Sequence, residues 1–299
     1  MSRSPIPTVQ PVPGAPLLVC HMAMLSGRHR RNSSAAIREC FEANAGRIEI
    51  DVHSLDGDDY AVYHDRRLEG QTTGSGSIGA ATPDAIRALR YTEFPDDRPA
   101  LLSEVVEMAR GCDTEMQLDW KDLRLMSPQR LRALVDVVAP VRERVIVSSP
   151  QDWNLRLLRA VPDAPATGFD PGHYLAPERP GPLPRNAGAY GYRDDHPLAL
   201  VLGRGVAAPA YLAARMEALL AQAPGSREFF LDYRLALQML DDGFDAAAWL
   251  HGRGICANVW TADYRVPDDA AWLRRLLDAG VDRVTTNTAP AWAAAFAAS

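Results

Sequence analysis

Short β-rich apolar runs alternate with amphipathic stretches along most of this chain, and the alternation limits the folds open to it. Each run is rich in β-branched, aromatic or other apolar residues and is bounded by turn residues. Between the runs, apolar residues recur at i, i+3 and i+4, the spacing of a helix with one buried face. The eight runs span residues 17–21, 47–53, 115–120, 145–149, 166–169, 229–233, 255–260 and 281–286.

The order of elements is therefore that of repeated βα units. Such units build parallel sheets, and a count of eight favours the closed (β/α)8 TIM barrel over an open doubly wound sheet. The predicted helices span residues 33–45, 103–110, 128–138, 153–160, 208–223, 244–252 and 268–279.

Two segments depart from the alternation. Residues 1–15 are rich in Pro and Ser, and we predict a flexible N-terminal arm there, followed by a single TIM-barrel domain over residues 16–299. A stretch at about 171–205 is dense in Pro, Gly and aromatic residues, and it is predicted to be a long loop after the fifth strand. Residues 60–63 are predicted to form a short hairpin strand after the second barrel strand.

Composition and charge argue against several classes of protein. The 299 residues are 47% hydrophobic with a net charge of −6, which disfavours a nucleic-acid or anionic membrane partner. No apolar run approaches the roughly 18–20 residues that a transmembrane helix needs, and residues 1–15 lack the apolar core of a secretory signal. The four cysteines form no CxxC pair. We therefore expect a cytoplasmic protein with reduced thiols.

The second predicted strand carries two acidic residues on one face. Alternate residues of a strand point to the same side, so Glu49 and Asp51 share a face opposite Ile48 and Ile50. Two buried carboxylates repel each other and cost several kcal/mol to desolvate, on the order given for buried ions. A bound cation offsets both costs, so the pair is a candidate metal site. His64, thirteen residues after Asp51, is a candidate acid or base.

Further polar side chains occupy the ends of other predicted strands. His21 ends the first strand, and Asp119 and Lys121 end the third. Asp232 ends the sixth strand and Trp260 the seventh. Because the C-terminal strand ends of a TIM barrel share the face on which active sites are built, we expect these side chains to lie close together.

The residue types indicate phosphoryl chemistry. Three carboxylates, Glu49, Asp51 and Asp119, offer oxygen donors that suit Mg²⁺ or Ca²⁺. The metal and Lys121 would stabilise charge on phosphate oxygens. One histidine would take a proton from the attacking oxygen, and the other would give one to the leaving oxygen. Zinc is disfavoured because the thiols are scattered and no HExxH occurs.

At these residues the sequence resembles the glycerophosphodiester phosphodiesterase family, whose members are TIM barrels. The order and spacing of its motifs agree from about residue 16 to residue 292. The matching segments are Cys20-His21-Met22-Ala23, Arg31-Asn32-Ser33, Glu49-Ile-Asp51-Val52, Val62-Tyr-His64-Asp65, Asp119-Trp-Lys121, Ser149-Pro150, Trp260-Thr261 and the run from Gly280 through Asn287 to Pro290.

The resemblance implies a role for each matching residue. His21 and His64 match the acid–base pair; we assign His64 as base and His21 as acid, with the reverse left open. Lys121 matches a phosphate-contacting lysine, and Trp260 matches a wall of the substrate pocket. The metal ligands implied are Glu49, Asp51 and Asp119. The implied substrate is a small-molecule phosphodiester.

Two further substrate contacts are predicted from residues to which the resemblance itself gives no role. The family's arginine after the first histidine is Met22 here, and Arg28, Arg30 or Arg31 is expected to replace that phosphate contact. Asp232 is expected either to contact the polar part of a substrate or to cap the next helix.

Three functions follow from this reading. The leading one is metal-dependent hydrolysis of a glycerophosphodiester-like substrate to an alcohol and a phosphomonoester. The second is a sphingomyelinase D/phospholipase D-like reaction that forms a cyclic phosphate, because that related group shares His-Met, Asp-x-Lys and Thr-Asn with this chain. The third is a barrel that binds a phosphorylated ligand without turnover, motivated by Met22.

Overall fold

The computed structural model describes residues 16–177, 206–266 and 269–297, which form a closed barrel wrapped by helices. The strands are β1 Leu17–Cys20, β2 Arg47–Ser54, β3 Tyr60–Val62, β4 Ala100–Leu101, β5 Glu115–Trp120, β6 Val145–Ser149, β7 Ala166–Phe169, β8 Glu228–Asp232, β9 Cys256–Trp260 and β10 Arg283–Thr286. All except β3 and β4 run parallel around the barrel, and β1 pairs with both β2 and β10, which closes it. The predicted (β/α)8 TIM barrel is confirmed, and all eight predicted strands are present.

The helices cover the outside of the barrel. They are α1 Ser34–Glu42, α2 Pro83–Ala88, α3 Leu102–Ala109, α4 Pro128–Val138, α5 Asp152–Arg159, α6 Ala208–Gln222, α7 Tyr233–Asp241, α8 Ala246–His251, α9 Asp269–Asp278 and α10 Ala289–Ala297. The seven predicted helices are present, and α2, α7 and α10 are additional. Tyr233 follows β8 directly, so the sequence pattern merges α7 with the strand. The alanine-rich α10 lacks a polar face, and α2 is too short to show a period.

Strand β2 has one apolar and one polar face. Ile48, Ile50 and Val52 are fully buried in the main core. Glu49 and Asp51 alternate with them and face the inside of the barrel. The residue pattern that builds the strand therefore also delivers its acids to the barrel interior.

Residues 55–101 form a folded extension between β2 and α3. Strand β3 pairs antiparallel with β2, and β4 pairs antiparallel with β3, which confirms the predicted hairpin strand. The extension has a second apolar core, made of Leu55, Ala61, Tyr63, Leu68, Ile78, Ala81, Ile86, Leu89, Tyr91 and Leu101. His64 thus stands on a packed platform.

Some predictions fall outside the described residues. The predicted arm at 1–15 does so entirely, as do residues 178–205 of the predicted long loop; its first part begins with the single turn Pro171–His173. Among the described residues, no helix is both long and apolar enough to cross a membrane.

Arg47, the first residue of β2, ties several strands together at the end of the barrel opposite Asp51. Its guanidinium donates to Glu228 at the start of β8 at 2.9 Å and to Glu115 at the start of β5 at 2.8 Å. Arg283 of β10 lies 3.3 Å from Glu228. Arg47 and Glu228 are 4% and 2% exposed, so each charge depends on its partner.

Replacing Arg47 by Met is expected to lower the free energy of unfolding by about 3–5 kcal/mol, because Glu228 loses its main buried counter-charge. Urea denaturation measures this. Arg132→Met is the matched control: it removes an exposed pair with Asp136 on α4 and should cost less than about 1 kcal/mol. Equal free energies of unfolding for the two variants would contradict the stabilising role of the pair between Arg47 and Glu228.

Candidate active site

Three carboxylates meet at the C-terminal end of the barrel because of the register between two strands. Strands β2 and β5 pair so that Asp51 lies opposite Asp119, and Glu49 precedes Asp51 on the same face. One oxygen from each of the three lies within 4.8 Å of the others. Glu49 and Asp51 are 3% and 0% exposed. The predicted metal ligands are thus brought together, and their oxygen-only donor set fits a hard divalent cation such as Mg²⁺ or Ca²⁺.

The ionisation of Glu49 shows how much negative charge the site holds. Burial, together with the charges of Asp51 and Asp119, raises the pKa of Glu49 well above its usual value. The backbone N–H of Met22 partly opposes this shift, because it donates to Glu49 Oε2 at 2.7 Å. Met22 takes a left-handed φ of 50°, which non-glycine residues seldom adopt. A buried carboxyl with this pKa lacks counter-charge, which supports a cation site.

Lys121 lies among these carboxylates. Its Nζ is 2.9 Å from Asp51 Oδ1 and donates to Asp119. Burial alone would lower the pKa of Lys121, but the carboxylates of Asp119, Asp51 and Glu49 raise it well above its usual value. Apart from this ion pair with Lys121, Asp51 Oδ1 accepts no hydrogen bond of good geometry from the described residues. Because a carboxylate oxygen has two lone pairs, it can also bind a ligand.

Asn32 holds the other oxygen of Asp51. Its side-chain Nδ2 donates to Asp51 Oδ2 at 2.6 Å, and the residue is 2% exposed. Asn32 has a φ of 60° and immediately precedes Ser33, whose hydroxyl caps α1 by accepting from the Ala36 N–H. The loop before α1 is therefore anchored in the site.

His21 is oriented by a chain of hydrogen bonds. Its Nδ1 lies 2.9 Å from Asn287 Oδ1, and Asn287 Nδ2 donates to both oxygens of Asp263, at 3.1 and 3.2 Å. A carboxylate only accepts, so Asp263 fixes which way the amide points. Asn287 therefore presents its oxygen to His21, which places the proton on Nδ1 and leaves Nε2, 3.8 Å from Glu49 Oε2, facing the acidic cluster.

His64 is held by a different network in a more open place. Its side chain is 49% exposed, and Nδ1 lies 2.7 Å from Asp65 Oδ1. Asp65 in turn accepts from Gln71, and Gln71 accepts from Arg30. His53 Nε2 lies 3.1 Å from the His64 carbonyl and supports its backbone. The available nitrogen of His64 is thus Nε2.

The predicted substrate contacts have varied surroundings. Asp232 caps α7 by accepting from the Arg234 N–H at 2.8 Å and pairs with the Arg234 guanidinium, which is the second of the two roles expected for it. Arg28 pairs with the buried Glu39. Trp260 lies opposite Asp232 in the β8–β9 register, and its Nε1 is buried without a partner among the described residues. Roles in substrate binding stay predictions for all three.

Sequence reasoning missed residues whose role is to hold others. Asn32 and Asp263 belong to this group, and so does the backbone N–H of Met22. Lys121, which the sequence analysis did predict, has a further distinguishing feature: it is the one lysine among the 32 lysine and arginine residues. Its compact ammonium differs in shape from the planar guanidinium that the chain uses at its other cationic positions.

Comparison with known proteins identifies relatives of the first part of the barrel. Residues 25–167 match the model of the Glycerophosphoryl diester phosphodiesterase family. A Glycerophosphodiester phosphodiesterase of Caldanaerobacter subterraneus subsp. tengcongensis is 28% identical over 132 residues, which are 42% of this chain. The match spans 54% of that relative's length.

Solved structures share the fold over nearly the whole chain. An Oleispira antarctica phosphodiesterase in complex with the product sn-glycerol-3-phosphate has a TM-score of 0.66 at 16% identity, covering 94% of this chain and 97% of the other. A glycerophosphodiester phosphodiesterase from Agrobacterium tumefaciens has a TM-score of 0.61 at 17% identity. The match covers 95% of this chain and 100% of the other.

Mg²⁺ or Ca²⁺ is expected to raise the melting temperature more at about pH 8 than at about pH 6, because metal ligands must be deprotonated. The raised pKa of Glu49 means that its carboxyl keeps a proton to higher pH when no ion is bound. Binding must displace that proton, and this becomes easier as the pH rises. Thermal unfolding with and without a chelator measures the effect.

Glu49→Gln is the matched control for this prediction, since the amide keeps the shape but does not titrate. The metal-induced shift should largely disappear in this variant. A shift that is equal at both pH values in the unaltered protein would contradict the role of Glu49.

Proposed function

We propose that this chain is a metal-dependent phosphoric diester hydrolase, because its residues 25–167 match the model of the Glycerophosphoryl diester phosphodiesterase family. The substrate is a small glycerophosphodiester-like molecule, and the products are an alcohol and a phosphomonoester. The observation that carries the proposal is the trio of Glu49, Asp51 and Asp119 around Lys121, of which Glu49 and Asp51 are buried. The ring nitrogens of two histidines are held beside it.

The acidic trio would hold the metal, Mg²⁺ or Ca²⁺. A bound divalent cation supplies positive charge that polarises a phosphoryl oxygen. The Lys121 ammonium adds a second positive charge beside the same carboxylates and contacts the phosphate. Trp260 forms a wall of the substrate pocket, and its indole N–H, which has no partner in the described part of the chain, can donate to the substrate.

His21 is the general base. Its proton is held on Nδ1 by the Asn287 oxygen, so Nε2 presents a lone pair towards the acidic cluster. Burial outweighs the favourable contacts to Asn287 and Asp51 and lowers the pKa of His21, so the ring starts neutral. The attacking oxygen gives its proton to this atom. Attack by water gives the phosphomonoester directly, whereas attack by a neighbouring substrate hydroxyl gives a cyclic phosphate that water must open in a second step. This reverses the preferred sequence assignment, in which His64 was the base.

His64 is then the general acid. As the bond from phosphorus to the alcohol oxygen breaks, a proton on His64 Nε2 passes to that oxygen. Asp65 accepts from Nδ1 and keeps the ring orientation constant. The exposure of His64 allows solvent to return the proton between turnovers.

The substrate class and the cellular location are proposed from two further observations. The Oleispira antarctica neighbour binds sn-glycerol-3-phosphate as a product, and we propose a glycerol phosphate moiety here by analogy of fold and family. The four cysteines are free thiols, which supports a reducing, cytoplasmic location.

Two histidine variants should separate the base from the acid. With a glycerophosphodiester that has an alkyl leaving group, His21→Ala and His64→Ala should each lower kcat by more than roughly tenfold. With a p-nitrophenyl diester, the kcat of His64→Ala should return towards the wild-type value, because a nitrophenolate leaves without a proton. The kcat of His21→Ala should stay low. Recovery of His21→Ala instead would reverse the roles. Wild-type kcat in either variant on the best alkyl diester would contradict the site.

The products should distinguish hydrolysis from cyclisation. ³¹P spectra of the reaction are expected to show a phosphomonoester accumulating at the rate of alcohol release. A cyclic phosphodiester that persists after the substrate is consumed would favour the second candidate, the sphingomyelinase D/phospholipase D-like reaction. Ligand binding without either product, in the presence of Mg²⁺ or Ca²⁺, would support the binding barrel.

A further inference from the structure

A cavity of about 150 Å³ adjoins the acidic cluster on the side of His64. Its walls include Met22, Asn32 and His64, with two arginines, Arg30 and Arg31. Asn32 is the residue that holds Asp51, so the cavity and the acidic cluster share a wall. A substrate bound at the cluster therefore has space to extend into this cavity.

The loop that forms one wall carries four basic side chains in a row, and three of them are committed. Arg28 pairs with Glu39. His29 Nδ1 lies 3.2 Å from Asp97. Arg30 donates to Gln71, and its guanidinium lies 5.7 Å from the centre of the Tyr91 ring.

Arg31 is the exception. Within the described ranges 16–177, 206–266 and 269–297, its guanidinium has neither an ion pair nor a hydrogen bond. The residue is nonetheless only partly exposed and lines the cavity. Its charge reaches the site: after burial, Arg31 is among the groups that lower the pKa of His21. An unmatched guanidinium facing a partly desolvated cavity is satisfied best by an anion.

The backbone around Arg31 is held firmly, so its position is not that of a free surface residue. The next residue, Asn32, is buried, and its N–H donates to the Met22 carbonyl at 2.8 Å. Met22 donates its own N–H to Glu49. The residue after Arg31 is thus linked to Met22 by a backbone hydrogen bond, and Met22 is linked to Glu49 by another.

We propose that Arg31 binds a non-bridging oxygen of the phosphoryl group, in the cavity that it shares with Met22 and His64. The inference rests on the proposed function and adds a substrate-binding residue to it. A planar guanidinium reaches two phosphate oxygens at once. It would hold the diester between the acidic cluster and His64, and so would orient the leaving oxygen towards the acid.

The test compares Arg31→Met with Arg38→Met, which removes an exposed arginine on α1. Arg31→Met should lower kcat/KM for the diester by roughly 10- to 100-fold, as for the loss of a charge-assisted hydrogen bond. It should weaken competitive inhibition by inorganic phosphate by a similar factor. Arg38→Met should change neither, and both variants should keep the melting temperature and the metal-induced shift of the unaltered protein.

A second substitution separates charge from structure. Because Met22 lines the same cavity, adding Met22→Arg to Arg31→Met should return a guanidinium to it and recover part of kcat/KM. Recovery would show that the cavity needs the charge and not the loop. Unchanged kcat/KM and phosphate inhibition in Arg31→Met would overturn the proposal.

The same variants distinguish this proposal from the proposed function. If no diester is turned over, the hydrolase assignment fails, and calorimetric binding of inorganic phosphate with Mg²⁺ becomes the readout. Loss of that binding in Arg31→Met, with retention in Arg38→Met, would still support an anion contact at Arg31. Equal phosphate binding in both variants would overturn it.

Discussion

The mutual repulsion of three carboxylates in the mouth of the barrel is the constraint on which the site depends. The three carboxylates lie together because the parallel register of β2 and β5 places Asp51 opposite Asp119, and Glu49 precedes Asp51 on the same face. Desolvation and like charge both oppose the ionisation of Glu49. Lys121 offsets part of this cost, and a divalent cation would offset the rest. The raised pKa values of Glu49 and Lys121 are two signs of the same electrostatic imbalance.

Around that cluster, neighbouring groups fix orientation. Asp263 fixes the amide of Asn287, which fixes the ring of His21. Asp65 fixes the ring of His64 on a platform with its own apolar core. The two histidines are thus supported from opposite parts of the chain, one from the last strand and one from the extension after β2. Their different exposure suits them to different proton-transfer roles.

Much of the fold follows from local pattern. The eight barrel strands and seven helices are visible in the sequence because apolar periodicity is a property of each segment alone. Helix α7 is missed because Tyr233 extends the apolar run of β8, and α10 is missed because alanines carry no polar face. The grouping of Glu49, Asp51, Asp119, Lys121 and His21 also follows, since parallel strands end on one face. His64 follows the antiparallel strand β3, so this rule does not place it.

The supporting contacts do not follow, because they join residues far apart in the chain through single hydrogen bonds. Asp263 and Asn287 are ordinary loop residues until the barrel closes and β9 lies beside β10. For Asp232 the sequence left two roles open, and the structure shows that it caps α7. The sequence likewise offers several arginines before α1, and only their contacts with Glu39 and Gln71 separate Arg28 and Arg30 from Arg31.

The sequence by itself determined the βα repeat, the closed barrel and the acids, Lys121 and His21 at its strand ends, because alternation of polarity specifies both the strand and the face of each residue. Tertiary structure decided which nitrogen of His21 faces the cluster, which oxygen of Asp51 faces Lys121 and which arginine before α1 has no partner among the described residues. Those outcomes depend on distances of a few ångströms between segments that only barrel closure brings together, and hydrogen bonding falls off steeply over that range.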